Sequence, residues 1–160
     1  MVARLLRALP GPGKIRGDLP AGAMRRATDF QMWSHLAFVP AVVAASLPLE
    51  AAPLPELAAL QATTLVLSLA YHRNYERPGT LASCEGICAK ALFAYGAAQT
   101  MVSPDEMLLA INSACCVTTA GAYAATNADE RLYERWHPLG LHLVPGIWSL
   151  NVAMNHPSLL

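Results

Sequence analysis

Ser68 and His72 stand four residues apart at the end of an apolar stretch, VLSLAYHRNYERPG over 66–79. On a helix that spacing puts a hydroxyl and an imidazole on one face, one turn apart. The same residue types recur near the ends of other apolar stretches, as His35, Glu85, His137 and His142. Three imidazoles, a hydroxyl and a carboxylate gathered at one level suit a catalytic zinc site. Neutral histidine nitrogens hold the metal, an open position admits water, and a carboxylate takes a proton. Taken singly, a histidine, serine or tyrosine at the end of a spanning helix also caps backbone or sits in the interfacial belt. A shared face is what would make these residues a site.

The elements that must position them are apolar. Of 160 residues, 54% are hydrophobic and 14% charged, with mean hydropathy +0.34, against roughly 25% charged in an average soluble domain. This predicts an all-α, polytopic membrane helix bundle. The formal net charge is zero, and no basic-aromatic stretch or finger-like spacing points to nucleic acid. Five runs are long enough to approach a bilayer crossing: about 30–48, 55–72, 81–102, 105–126 and 134–154,. Pro40, Pro138 and Pro145 lie inside them and Pro48 near an end. The fourth run opens with Ser103-Pro104-Asp105-Glu106, read as a capping box with Ser103 as cap. No repeat appears and the loops are short, so residues 29–160 read as one transmembrane domain behind a basic arm, 1–28.

Charge sorts the connecting segments. Arg4, Arg7, Lys14, Arg16, Arg25 and Arg26 precede the first run, Arg73 and Arg77 follow the second, and Arg131 and Arg135 flank the start of the fifth. The opposite loops carry Glu50, Glu56, Asp105 and Glu106 without Lys or Arg. The positive-inside rule then gives about five spans with the N-terminus on the positive side. A soluble helical bundle is the competing class, and this segregation argues against it. Lys90 falls inside the third run, where a cation needs a partner or a watery cavity. The Arg-rich start MVARLLRALPGPGKIRG fits a topogenic arm or a mitochondrial presequence. Cys84, Cys88, Cys115 and Cys116 lie in apolar runs and read as small packing residues.

With that topology the second run carries a stripe of Gln61, Thr64 or Leu65, Ser68 and His72. His35, Glu85 and His137 start from the same side at comparable depth, and His142 lies about 7.5 Å deeper at 1.5 Å per residue. His137 and His142 are five apart, about 140° out of phase on a regular helix, although Pro138 and Pro145 can distort it.

Ser68-Leu-Ala-Tyr-His72, the turn into Pro78-Gly79, Cys84, Tyr95-Gly96-Ala97-Ala98 and Met101 resemble the conserved region of the myomaker and transmembrane-protein-8 group. That group belongs to the CREST superfamily, with the alkaline ceramidases and the progestin and adipoQ receptors. The resemblance implies a zinc site for lipid-amide hydrolysis. Ser68 would stand near the metal-bound water, His72 would be the first ligand, and Trp136-His137 would match the aromatic-histidine end of the last motif. It gives metal ligands His72, His137 and His142, with His35 as a substitute, and catalytic roles for Ser68 and Glu85. The departures are concrete: Tyr133 stands where the family has histidine, the third run has Glu85 instead of aspartate, and the family has seven spans. A remodelled or inactive site is therefore implied. The competing reading is a non-catalytic accessory subunit of an organellar membrane complex, for example in the mitochondrial inner membrane. Its histidines, with Arg73 and Arg77, would anchor at the interface or bind lipid headgroups. Haem between His35 and His72 is a third reading. Membrane lipids are the expected partners throughout.

Overall fold

Proline lacks an amide hydrogen, and its ring crowds the carbonyl four residues back, so a helix that contains one changes its winding or starts afresh there. That rule organises the computed structural model, which describes residues 19, 22–47, 54–103 and 105–155. A short helix α1 (Phe30–Trp33) runs through a 3₁₀ segment (Ser34–Phe38) into α2 (Val39–Ser46), whose first turn holds Pro40. Helix α3 (Pro55–Arg73) begins on proline. Then come α4 (Thr80–Met101), α5 (Glu106–Ala128) and α6 (Glu130–His137). A π-helical segment (Pro138–Leu143) continues α6 into α7 (Val144–Asn155), where Pro145 again lies in the first turn. The prolines expected inside the runs thus mark joints between differently wound segments.

All secondary structure among the described residues is helical, and the five rods follow the five apolar runs closely. One boundary differs. Helix α5 is capped by Asp105, whose carboxylate accepts from the Leu108 amide at 2.8 Å, while Ser103 lies outside the helix. Aspartate three residues before a free amide is the better cap, and its charge also suits the positive helix end. Residues 1–18, Pro48, Glu50 and Pro104 lie outside the described residues.

Helix α3 packs between α2 and α4, α7 lies against α2 and α5, and the 3₁₀ segment crosses the π segment. Leu57, Ala45, Leu92, Trp148, Val152 and Ala153 form the apolar core. Much of the rest of the interior is polar: Gln31, Ser34, Gln61, Thr64, Ser68, Thr100, Asn112 and Thr119 are buried. Large apolar side chains face outward instead, with Val66 65%, Met107 68% and Val117 71% exposed. Among the described residues one helix, α5, is long and apolar enough to cross a membrane by its length and composition. Two contacts fix how closely the crossing segments lie. A Cβ on Gly140 would collide with the Ala122 side chain, and one on Gly146 would come within 2.6 Å of the Ala37 carbonyl oxygen.

Candidate metal centre

His35 sits on the 3₁₀ segment, His72 on the last turn of α3, and His142 on the π segment. All three are buried, at 1%, 1% and 2% exposure. One ligand nitrogen from each lies within 4.8 Å of the others.

The hydrogen bonds assign the protons. His35 Nδ1 donates to the Met32 carbonyl at 3.1 Å. His72 Nδ1 donates to Glu76 Oε1 at 2.6 Å. His142 Nδ1 lies 2.7 Å from Ser34 Oγ, which also faces the Gln31 carbonyl at 3.4 Å; with the hydroxyl turned to that carbonyl it accepts from the ring. In that arrangement each imidazole carries its hydrogen on Nδ1 and keeps the Nε2 lone pair. This is the arrangement by which outer partners orient metal-binding histidines. His72 Nε2 is buried without a hydrogen-bond partner, a cost that a metal would remove,. Tetrahedral zinc with bonds of about 2.0–2.1 Å sets its ligand atoms about 3.3 Å apart, so seating it draws these nitrogens together by about 1.5 Å at most. The residues present fit the ion.

His137 stands beside this set, its ring centroid 5.0 Å from His72 and 5.1 Å from His142. The π winding accounts for the second distance. A π turn closes i to i+5, so residues five apart, out of phase on a regular helix, return to one face. His137 lies outside the trio whose nitrogens all approach within 4.8 Å. Its Nδ1 is buried without a partner, and Tyr133 stacks on it at 4.4 Å. The structure therefore joins His72 and His142 through His35, with His137 as a fourth, neighbouring imidazole. The His35 and His72 ring centroids are 5.2 Å apart, which leaves no slot for a haem macrocycle between them.

Ser68 and Glu85 both reach the centre. Ser68 Oγ is 2.9 Å from His35 Nε2 and also meets the Glu85 carboxyl group. Ser68, Glu85, His137 and His142 form the polar end of a cavity of about 330 Å³ that continues between Phe93, Leu141 and Trp148. That volume falls at the small end of the ligand-pocket range, about 300–1,000 Å³. Trp148, hydrogen-bonded through Nε1 to Thr100 at 3.0 Å, lies against Gly96 and closes the apolar part. Lys90, the cation within the third run, lines the same cavity.

Behind His72 lies a charged group that the sequence did not announce as part of the site. Arg25, counted with the basic arm, is only 2% exposed. Its guanidinium meets Glu76 at 2.9 Å, Glu134 at 3.1 Å and Asp29 at 3.4 Å, and lies 4.7 Å over the Tyr75 ring. Burial disfavours its charge, but the carboxylates of Glu76 and Glu134 more than offset that, and it stays protonated,. Tyr75 and Glu76 both have left-handed backbones, φ 53° and 52°, at a cost of about 1–3 kcal/mol each for non-glycine residues. That turn swings Glu76 back onto His72. The His72-x-x-x-Glu76 spacing was legible in the sequence as an i,i+4 pair; Ser34 and Arg25 carried no comparable signal.

No protein-family model, curated protein or solved structure matches the chain.

Proposed function

We propose that this protein is a multi-pass membrane hydrolase of lipid acyl bonds, amide or ester, with a remodelled zinc centre held by His35, His72 and His142. The observation that carries the reading is the trio itself: three buried imidazoles on three segments, one nitrogen of each within 4.8 Å of the others, with each Nδ1 engaged by an outer group, His72 Nε2 without a partner and His35 Nε2 met by Ser68. In the CREST pattern the last helix supplies a pair of histidines, and Tyr133 here breaks that pair. His35 takes up the missing position from the opposite side of the bundle, which is what makes the site remodelled.

Zinc held there supplies a Lewis acid that polarises an acyl carbonyl and acidifies water. The chain's own groups do the rest. Glu85, at the polar end of the cavity, accepts the proton of the attacking water and returns it to the leaving amine or alcohol. The Ser68 hydroxyl, held between His35 and Glu85, donates to the oxygen on which negative charge develops. The apolar length of the cavity, ending at Trp148, holds the acyl chain. The outward apolar side chains and polar interior support placement in a bilayer, because lipid rewards the first and interhelical hydrogen bonds satisfy the second. Full burial of the three histidines disfavours the accessory-subunit reading, in which they would meet headgroups.

Elemental mass spectrometry of the detergent-purified chain tests this directly. About one zinc per chain is expected, lost in His35→Ala, His72→Ala and His142→Ala and kept in His137→Ala. A folded parent that binds no metal after zinc loading overturns the proposal.

A further inference from the structure

The charged group behind His72 has more reach than packing requires. Three separate segments converge on it: the stretch before α1 through Arg25, the turn after α3 through Glu76, and α6 through Glu134. The stretch before α1 is also clamped by its backbone. The Arg25 amide donates to the Arg73 carbonyl at 2.9 Å, and the Arg73 guanidinium donates back to the Arg25 carbonyl at 2.6 Å. The backbone clamp thus ends at Arg73, the last residue of α3, just ahead of the turn that presents Glu76 to His72.

We infer that Arg25 is a positioning residue of the metal centre, holding Glu76 so that its carboxylate fixes the His72 ring with Nε2 toward the other two imidazoles; this rests on the zinc reading above. A carboxylate free to rotate would accept from Nδ1 in only some of its positions. Arg25 restricts that freedom, because one guanidinium nitrogen, Nη2, reaches both Glu76 oxygens, at 3.1 and 2.9 Å, in charge-assisted contacts,. Glu134 and Asp29 hold the other, Nη1, at 3.1 and 3.4 Å, and the Tyr75 ring covers the guanidinium face. The left-handed turn at Tyr75 and Glu76 brings the carboxylate onto His72 Nδ1. Arg25 acts through Glu76 and touches no reacting atom. The stretch of chain before α1 is thereby tied to the state of the metal centre.

The test uses the full chain in detergent, with zinc affinity measured by chelator competition and the site's geometry read from the visible absorption of bound cobalt. Arg25→Gln is expected to lower zinc affinity about 10–100-fold and to change the cobalt bands, with helical circular dichroism retained. Arg25→Lys, which keeps the charge but loses the planar guanidinium that serves Glu76 and Glu134 from two nitrogens,, is expected to recover part of the affinity. Parent-like zinc affinity and cobalt bands in Arg25→Gln overturn the inference. Should Arg25→Gln fail to fold, Glu76→Gln decides, because it is nearly isosteric: weakened binding upholds the relay, and unchanged binding overturns it. A parent that binds no zinc at all fails differently, by removing the metal centre itself.

Discussion

At the scale of single residues, a histidine is a ready ligand when its second nitrogen is spoken for. Solvated imidazoles exchange tautomers, and a buried one with no outer partner has nothing to choose its ligating atom. Here the Met32 carbonyl, Glu76 and Ser34 make that choice for His35, His72 and His142. The groups assigned to chemistry are separable from those assigned to the metal. Glu85→Gln is expected to keep zinc and lower hydrolysis of a lipid amide about 10²–10⁴-fold, the range for a lost general base. Ser68→Ala should keep zinc and cost about 10²-fold, as for one lost oxyanion donor. Turnover by purified parent and variants on a panel of acyl amides and esters checks both. Full activity in Glu85→Gln would remove it from the mechanism.

At the scale of elements, the site depends on two departures from regular winding. Ahead of Pro40 the chain tightens to 3₁₀ and carries His35; between Pro138 and Pro145 it loosens to π and carries His142. These two segments cross closely, and Gly146 meets Ala37 with no space for a side chain. Gly146→Ala should therefore lower stability by about 1–3 kcal/mol, the usual cost of overpacking, and weaken zinc binding by separating His35 from His142. Gly121→Ala is the matched control, since nothing lies within 4 Å of its added methyl and alanine is the better helix former by about 1 kcal/mol. Thermal unfolding in detergent should move the two variants in opposite directions. Equal shifts would show that the crossing has space for a methyl group at Gly146.

At the scale of the whole molecule, large apolar side chains outside and many polar side chains inside depart from the soluble pattern. In water such a surface would bind other surfaces or precipitate; in lipid it is the ordinary state. The proposed five-crossing arrangement would put the turn at Arg77 and the junction at Asp129 on one side and Ser103 on the other. In a variant with the four native cysteines replaced by alanine, single cysteines at these positions report the side. An impermeant maleimide added to sealed vesicles should label Arg77→Cys and Asp129→Cys from the same face and Ser103→Cys from the opposite one. Labelling of all three from one face would rule out the five-span arrangement.

The sequence determined the helices and the buried stripe of α3. Backbone geometry ties helical period to residue spacing, so Gln61, Thr64, Ser68 and His72 share a face whatever packs on it, and all four are buried. It also singled out Ser68, Glu85 and the histidines, which the structure brings close to one another. Only the tertiary structure decided which histidines meet. The His137 to His142 spacing has no fixed phase until the winding between them is known, and winding is set by where Pro138 and Pro145 let carbonyls go. His35 joins His72 and His142 because the 3₁₀ segment crosses the π segment, which no local pattern encodes. Arg25 reads as one more positive charge near a membrane surface. Its burial follows from Glu76 and Glu134, carboxylates 51 and 109 residues away that come together only in the folded chain.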